Sequence, residues 1–415
     1  MALPGASELS PYAALPFLAM LVLIAICPLL APGLWEPNRN KLLAALALGS
    51  PVVALYLARR PAALLEAGTD YVSFIALLSA LYAIAGGIRL ESDLEATPLT
   101  NAAFIAAGAA LASFIGTTGA AMLLIRPLLE ANRQRTRVSH TVVFFIFLAC
   151  NIGGLLTPLG DPPLYLGYLL GVPFAWTFGL WRPWLFMNGA LLVIYVLWDL
   201  VAYAREPLAT LGRDRARRER WRVAGSLNGL ALLGVVVAVA ILKAPAREIA
   251  IAALGALSLW LTPRRIRSAN GFAAAPMVEV AVVFLGIFLT MIPALELLRT
   301  HAPAFGVREP WQFFWATGLV SSVLDNAPTY VTLLALGRGL GLASEVAGVP
   351  ASVLVAISLG AVCMGANTYI GNAPNFMVKA IAERAGIAMP SFVGYLAYSG
   401  AVLIPLFVAV TWIFL

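Results

Sequence analysis

The stretch Asn151-Ile-Gly-Gly-Leu-Leu-Thr-Pro-Leu-Gly-Asp-Pro-Pro163 separates two apolar runs, at about 138–150 and 163–172. Neither run alone reaches the roughly 20 apolar residues that cross a bilayer. Together they read as one span broken at its middle. A second such break lies between runs at about 350–364 and 374–382, and it repeats the first: Gly154-x-x-Thr157-x-x-Gly160-Asp161-x-Pro163 matches Gly365-x-x-Thr368-x-x-Gly371-Asn372-x-Pro374 at an offset of 211. Two further apolar segments, about 98–129 and 310–336, carry small and polar residues at their centres and read as helical hairpins that enter the membrane and return. Their centres align too: Ser113-Phe-Ile-Gly-Thr-Thr-Gly119 lies over Ser322-Val-Leu-Asp-Asn-Ala-Pro328 at an offset of 209.

The composition around these motifs requires a membrane. Of 415 residues, 61% are hydrophobic and 11% charged, against about a quarter charged in an average soluble domain. Mean hydropathy is +0.90. A soluble enzyme, a disordered chain and a nucleic-acid binder are poor fits. Ten spans of about 20 residues plus two re-entrant pieces of about 30 need roughly 260 residues, close to the apolar share. The three cysteines, Cys27, Cys150 and Cys363, all lie in apolar runs and read as buried free thiols. Two histidines, His140 and His301, cannot build a histidine-rich metal site. No cleaved signal peptide is read in Met1 to Pro16.

The expected fold is therefore an all-α polytopic membrane protein. It has about ten transmembrane helices, two of them discontinuous, and two re-entrant hairpins. Three spans, a hairpin, a broken span and a further span occur twice in that order, so a duplication is expected. Each repeat crosses five times, which inverts the second against the first. The divisions are a first repeat over 1–204, a basic cytoplasmic connector over 205–225 and a second repeat over 226–415. Arg205 to Arg222 carries seven arginines, and placing it in the cytoplasm puts 19 of the 27 Lys and Arg residues inside and 8 outside. Localisation in the cell (inner) membrane follows, with both termini extracytoplasmic.

Unwound backbone at membrane depth must be buried in protein or line a wet cavity. Inverted repeats with broken helices point to a secondary transporter with its site at the midplane. The four interruptions supply Thr117 and Thr118 at the first tip, and Asp325 and Asn326 at the second. The first break adds Asn151, Thr157 and Asp161; the second adds Asn367, Thr368, Asn372 and Asn375. Asp161 and Asp325 are the candidate Na⁺ ligands, and no basic residue accompanies them. Structural alternatives stand beside each reading. Asp161, Asn326 and Asn372 precede prolines and can cap restarting helices, and Thr157 and Thr368 can bond back to helix carbonyls. With Asn326 available as a cap, Asp325 is the acid most in need of a function. Arg126 and Lys379 read as snorkelling to the cytoplasmic surface. Glu296 is expected to pair with Arg299, and Asp199 and Glu279 are expected at the interface.

The stretch from Asn151 to Pro163 resembles the "SNIGG…TP.GDPP" signature of the ion transporter superfamily, and Leu324-Asp-Asn-Ala-Pro-Thr329 resembles its "DN.P" hairpin tip. The likeness runs over nearly the whole chain. It is nearest to the group of citrate transporters and NhaD-type sodium:proton antiporters. The resemblance implies a homodimer, a scaffold made of the first three spans of each repeat, a mobile unit holding tips and breaks, and elevator-like alternating access. Dicarboxylate symporters of the superfamily carry Ser-Asn-Thr at their tips, where this chain has Gly-Thr-Thr-Gly and Asp-Asn-Ala-Pro.

Carboxylates without nearby cations suit a cation that competes with a proton, so sodium/proton antiport is the first expectation. Sodium and protons are then transported or coupling ions, with no resident cofactor. A sodium- or proton-coupled citrate or carboxylate carrier is the alternative, since helix ends could meet an anion. An arsenite-type efflux carrier is third. An intramembrane aspartyl protease, with Gly-x-Gly-Asp and Tyr-Asp, does not match Pro158-Leu-Gly-Asp161 or Leu324-Asp325, and the chain reads as no enzyme. The expected partners are the lipid bilayer and a small ion or carboxylate, with no nucleic acid.

Overall fold

The computed structural model describes residues 9–207 and 219–415, so most of the basic connector and the first residues of the chain lie outside the described part. Among the described residues, eight helices are long and apolar enough to cross a membrane. The protein is an all-α, multi-pass membrane protein apart from one small sheet.

The chain opens with α1 (Leu15–Leu30), the short α2 (Pro32–Trp35), α3 (Asn38–Arg59) and α4 (Pro61–Ala85). Helix α4 has Pro61 in its first turn and includes Glu66, Thr69 and Asp70. The first hairpin is α5 (Pro98–Ile115) and α6 (Thr117–Ala131), and the first broken span is α7 (Ser139–Ala149) and α8 (Pro162–Leu169), followed by α9 (Trp181–Ala204). The second half has α10 (Leu227–Ile241), α11 (Ala246–Leu261), the short α12 (Arg264–Ala269) and α13 (Ala275–His301). Then come the second hairpin, α14 (Pro310–Val323) and α15 (Asn326–Gly339), the second broken span, α16 (Ala351–Met364) and α17 (Ala373–Arg384), and α18 (Phe392–Phe414).

A purely α-helical chain was expected. Instead β1 (Arg89–Asp93) pairs antiparallel with β2 (Glu219–Ala224), with Leu90 opposite Val223, Glu91 opposite Arg222 and an irregularity between Glu91 and Asp93. Both segments are short and charged and read as loops. Their backbone groups find partners only across 130 or so residues of sequence, which no local pattern reveals.

The long helices of the two halves interleave. Lys41 on α3 bonds Glu279 on α13 at 2.5 Å, and Tyr56 bonds Glu296 at 2.8 Å, so α3 and α13 run parallel. Ser73 on α4 bonds Glu248 on α11 at 2.7 Å, and Gly255 meets Ala80, so α4 and α11 are also parallel. By contrast Tyr71 reaches the Ala281 carbonyl at 2.9 Å and Tyr82 the Ala273 carbonyl at 3.0 Å, so α4 and α13 are antiparallel. Glu296 therefore pairs with Tyr56 and Arg60 rather than with Arg299.

Asp199, expected at the interface, is enclosed by protein. Its side chain is fully buried, with two bonds from Arg135 at 2.9 and 2.6 Å and others from His140 at 2.8 Å, Tyr195 at 3.1 Å and Asn101 at 3.4 Å. A buried carboxylate requires that density of donors. Of the three cysteines, all free, Cys150 and Cys363 are buried and Cys27 is partly exposed.

Candidate functional site

Both breaks are built alike. Each begins with a short 3₁₀ segment, Ile152–Leu156 in the first and Gly365–Asn367 in the second. An extended threonine follows: Thr157 has φ −137° and ψ 158°, Thr368 φ −136° and ψ 166°. The helix then restarts from an extended residue, Asp161 at φ −146° and ψ 144° or Asn372 at φ −150° and ψ 136°. The glycines of the motif permit close folding of each break on itself. A Cβ on Gly160 would collide with the Gly154 carbonyl, and one on Gly371 with that of Gly365.

The two threonines clamp a hairpin to a break. Thr157 Oγ1 donates to the Ser113 carbonyl and accepts from the Leu159 N–H. Thr368 Oγ1 donates to the Ser322 carbonyl at 2.7 Å and accepts from the Ile370 N–H at 3.1 Å. Neither bonds back along its own helix, and neither hydroxyl reaches Asp161.

Asp161 is where all four interruptions meet. Its carboxylate is 1% exposed. Thr117 of the first tip donates to Oδ1 at 2.7 Å, Asn372 of the second break donates to Oδ1 at 3.1 Å, and Asn326 of the second tip donates to Oδ2 at 2.5 Å. No basic side chain touches it among the described residues. Four helices start at this point: α6 at Thr117, α8 at Pro162, α15 at Asn326 and α17 at Ala373. The first N–H groups at these starts are largely spent or missing: Pro162 and Pro163 have none, the Thr117 N–H bonds the Gly160 carbonyl and the Ala327 N–H bonds Asp325.

The expected assignment of caps is reversed. Asp161 makes no capping hydrogen bond, and neither does Asn372. The cap of α15 is Asp325, half-buried, whose Oδ1 accepts the Ala327 N–H at 3.0 Å. Asn326, expected as that cap, is fully buried and spent on Asp161. A carboxylate at N-cap position bonds the N–H two residues on, and this geometry turns Asp325 onto its own helix.

Of the other candidates, Asn151 donates to the Asn375 side chain at 2.8 Å, joining the first break to the second. Asn375 in turn donates to the Gly365 and Thr368 carbonyls at 2.9 Å. Asn367 donates to Ser322 Oγ at 2.9 Å. Thr118 is half-buried and makes no described side-chain bond to Asp161. Three buried amide oxygens on these elements, Asn151 Oδ1, Asn326 Oδ1 and Asn367 Oδ1, have no hydrogen-bond partner. The sequence reading gave no role to Ser113 and Ser322, which lie at aligned positions of the hairpins and receive the two threonines. Arg126 is exposed, and Lys379 pairs with Glu383 at 2.7 Å.

Residues 6–415 match a family described as "Putative citrate transport". The chain belongs to this family. The match spans both hairpins and both breaks, so the citrate-transport family is defined over the whole architecture rather than over one motif. No curated protein matches the sequence.

Proposed function

We propose that the protein is a secondary transporter that exchanges Na⁺ for H⁺ at Asp161. The observation that carries this reading is the Asp161 carboxylate itself: buried, held by three neutral donors from three other interruptions, and touched by no basic side chain among the described residues. A lone carboxylate in such a place is expensive to keep ionised unless a cation or a proton compensates it. Three unpartnered amide oxygens on the same interruptions are the ligand type a desolvated monovalent ion requires. Occupancy by Na⁺ and by H⁺ then excludes one another, which is all that coupled exchange needs.

We further propose that the chain is an inverted duplication, with repeats 1–204 and 226–415 joined by a cytoplasmic connector. The paired dihedral angles of the breaks support this. So does the interleaving: α3 beside α13 and α11 beside α4 are both parallel, as a two-fold axis in the membrane plane requires. In this reading both termini are extracytoplasmic, the membrane is the inner one, and α5–α9 with α14–α18 move as a unit in a homodimer.

A second reading is a sodium- or proton-coupled carrier of citrate. The family description favours it. A tricarboxylate, however, would meet Asp161 and the neighbouring Asp325 with no basic side chain on Asp161 among the described residues. Purified protein in liposomes with an internal pH dye, challenged with Na⁺, Li⁺, K⁺ and citrate, separates the two. Sodium-driven proton movement without citrate supports exchange; saturable citrate uptake with no such movement supports the carrier.

A further inference from the structure

The hairpins and broken helices (α5–α9, α14–α18) meet the long helices beside them (α1–α4, α10–α13) along a seam with few polar ties. Among the described residues, the side-chain hydrogen bonds that cross it both come from α8. Tyr168 Oη donates to the Val239 carbonyl of α10 at 2.9 Å, and Tyr165 Oη points at the Ser73 carbonyl of α4 from 3.5 Å. The second distance lies beyond the usual range for a hydroxyl donor. Val239 sits in the last turn of α10, whose terminal carbonyls have no partner inside the helix, and Tyr168 satisfies one of them.

The two tyrosine rings, three residues apart on one face of α8, stack on each other at 5.8 Å. Phe74 of α4 lies 6.4 Å from the Tyr165 ring, and the Arg247 guanidinium of α11 lies over the Tyr168 ring at 5.1 Å. Arg247 is fixed in place: its Nε donates to Glu248 at 2.9 Å, and Glu248 accepts from Ser73 Oγ at 2.7 Å. Helix α8 is thus gripped from α4, α10 and α11. The second repeat has no such grip. The offset of 211 places Phe376 and Lys379 of α17 over Tyr165 and Tyr168. Phe376 is exposed, and Lys379 bonds Glu383 on its own helix. The first hairpin tip meets α4 only through small and apolar groups, with Gly116 and Gly119 against Leu81 and Ala85. Surfaces of that kind can slide without breaking a hydrogen bond; the Tyr168 bond has to break.

We propose that Tyr168 is the docking residue that holds the hairpins and broken helices against the long helices in the position seen here, and that its release is the step that frees them to move. The proposal rests on the reading of α5–α9 with α14–α18 as one moving unit, and not on which ion is carried. Asp161 immediately precedes α8, and Tyr168 follows it by about two turns, or about 10 Å along the helix. The site acid and the docking ring therefore ride on one short helix, and a shift of α8 past α10 displaces both. Such a shift removes the donor from the Val239 carbonyl and the ring from beneath Arg247. Tyr168 touches none of the groups around Asp161, so it is a positioning residue: it acts on where the site sits, not on what the site binds.

Spin labels at Lys243→Cys, on the loop after α10, and at Ser344→Cys, on the loop after α15, straddle the seam at two exposed positions. Pulsed electron resonance measures their separation in full-length protein in lipid nanodiscs, in a Cys27→Ala background and diluted with unlabelled copies. Tyr168→Phe keeps the ring and removes the hydroxyl. The population at the present separation, relative to all others, should fall about fivefold, the net effect of one hydrogen bond. Tyr168→Leu, which also removes the ring beneath Arg247, should lower it further, and Tyr165→Phe should change it by less than about twofold. A second separation that appears only in the Tyr168 variants supports the proposal equally. Melting temperatures confirm that each variant is folded. An unchanged ratio in folded Tyr168→Phe, or an equal shift in Tyr165→Phe, overturns the docking role and leaves the moving unit standing. One separation throughout, Tyr168→Leu included, overturns the moving unit as well. Na⁺-driven proton movement in liposomes bears on the exchange reading alone.

Discussion

The Asn326 amide lies 2.5 Å from Oδ2 of Asp161, joining residues 165 positions apart and bringing the tip of the second hairpin to the break in the first broken helix. From this contact the two aspartates part company. Asp161 is the acid at the junction; Asp325, one residue before Asn326, caps a helix.

The first prediction is a ranking. Asp161→Asn should abolish proton-coupled transport in protein that still folds, because the amide keeps the shape and loses the charge. Asp325→Asn should retain most activity, since Asn caps as well as Asp. Initial rates in proteoliposomes, normalised to folded protein by size-exclusion chromatography, check this. The opposite ranking would return the coupling role to Asp325.

The second prediction concerns the donor set. Thr117→Val keeps the shape of the side chain and removes the 2.7 Å bond to Asp161. A hydrogen bond to a charged group contributes about 1.5–3 kcal/mol, so the Na⁺–H⁺ competition should shift about tenfold or more. Thr118→Val, at the neighbouring position with no such bond, is the control.

Much of this architecture could be read from the sequence because its signals are local. Apolar runs gave the helices, and Gly, Pro and polar residues at matched offsets gave the four interruptions. The convergence of Thr117, Asp161, Asn326 and Asn372 followed from treating those interruptions as one site. What escaped the reading depends on contacts distant in sequence. The β1–β2 pairing joins residues 89–93 to 219–224, and Asp199 is buried by Arg135 and His140, some 60 residues away. Nor could the cap of α15 be decided in advance, because Asp325 and Asn326 both cap well and only the position of Asp161 separates them.

A third prediction addresses the buried pair. Asp199→Asn removes the buried counter-charge that Arg135 bonds directly, leaving Glu206 at 3.7 Å from its Nε, and should cost about 3 kcal/mol. Replacing both, Arg135→Met with Asp199→Leu, should recover most of that loss. Thermal unfolding in detergent reads both. A double variant no more stable than the single one would show that the network is needed for more than charge compensation.

A fourth concerns acid stability. Glu206, just past α9, accepts from Thr136 Oγ1 and from the Thr136 and Arg137 N–H groups at 2.8–3.1 Å. Burial pushes its carboxyl upward, but those bonds and Arg135 outweigh burial and hold it below the usual glutamate range. A depressed carboxyl contributes stability at and above the ordinary glutamate value, and that stability is lost as pH falls through its lowered value. Glu206→Gln should therefore lower the melting temperature near pH 7, where the ionised carboxylate contributes fully, and approach wild type as pH falls below about 4.5, which flattens the acid limb.

A fifth tests the inverted arrangement. Ser268 and Ser344 are both exposed, and the proposed topology puts Ser268 in the cytoplasm and Ser344 outside. Single cysteines at these sites should react with impermeant reagents from opposite sides. Labelling of both from one side contradicts the five-crossing repeat.

The claim that matters most is competition between Na⁺ and H⁺ for Asp161, and equilibrium binding of radiolabelled Na⁺ to purified protein across a pH series measures it directly. On the acid side the apparent dissociation constant for Na⁺ should rise about tenfold per pH unit, Asp161→Asn should abolish that dependence, and citrate should not compete. Sodium affinity independent of pH in the wild-type protein, or saturable citrate binding that survives Asp161→Asn, would contradict it.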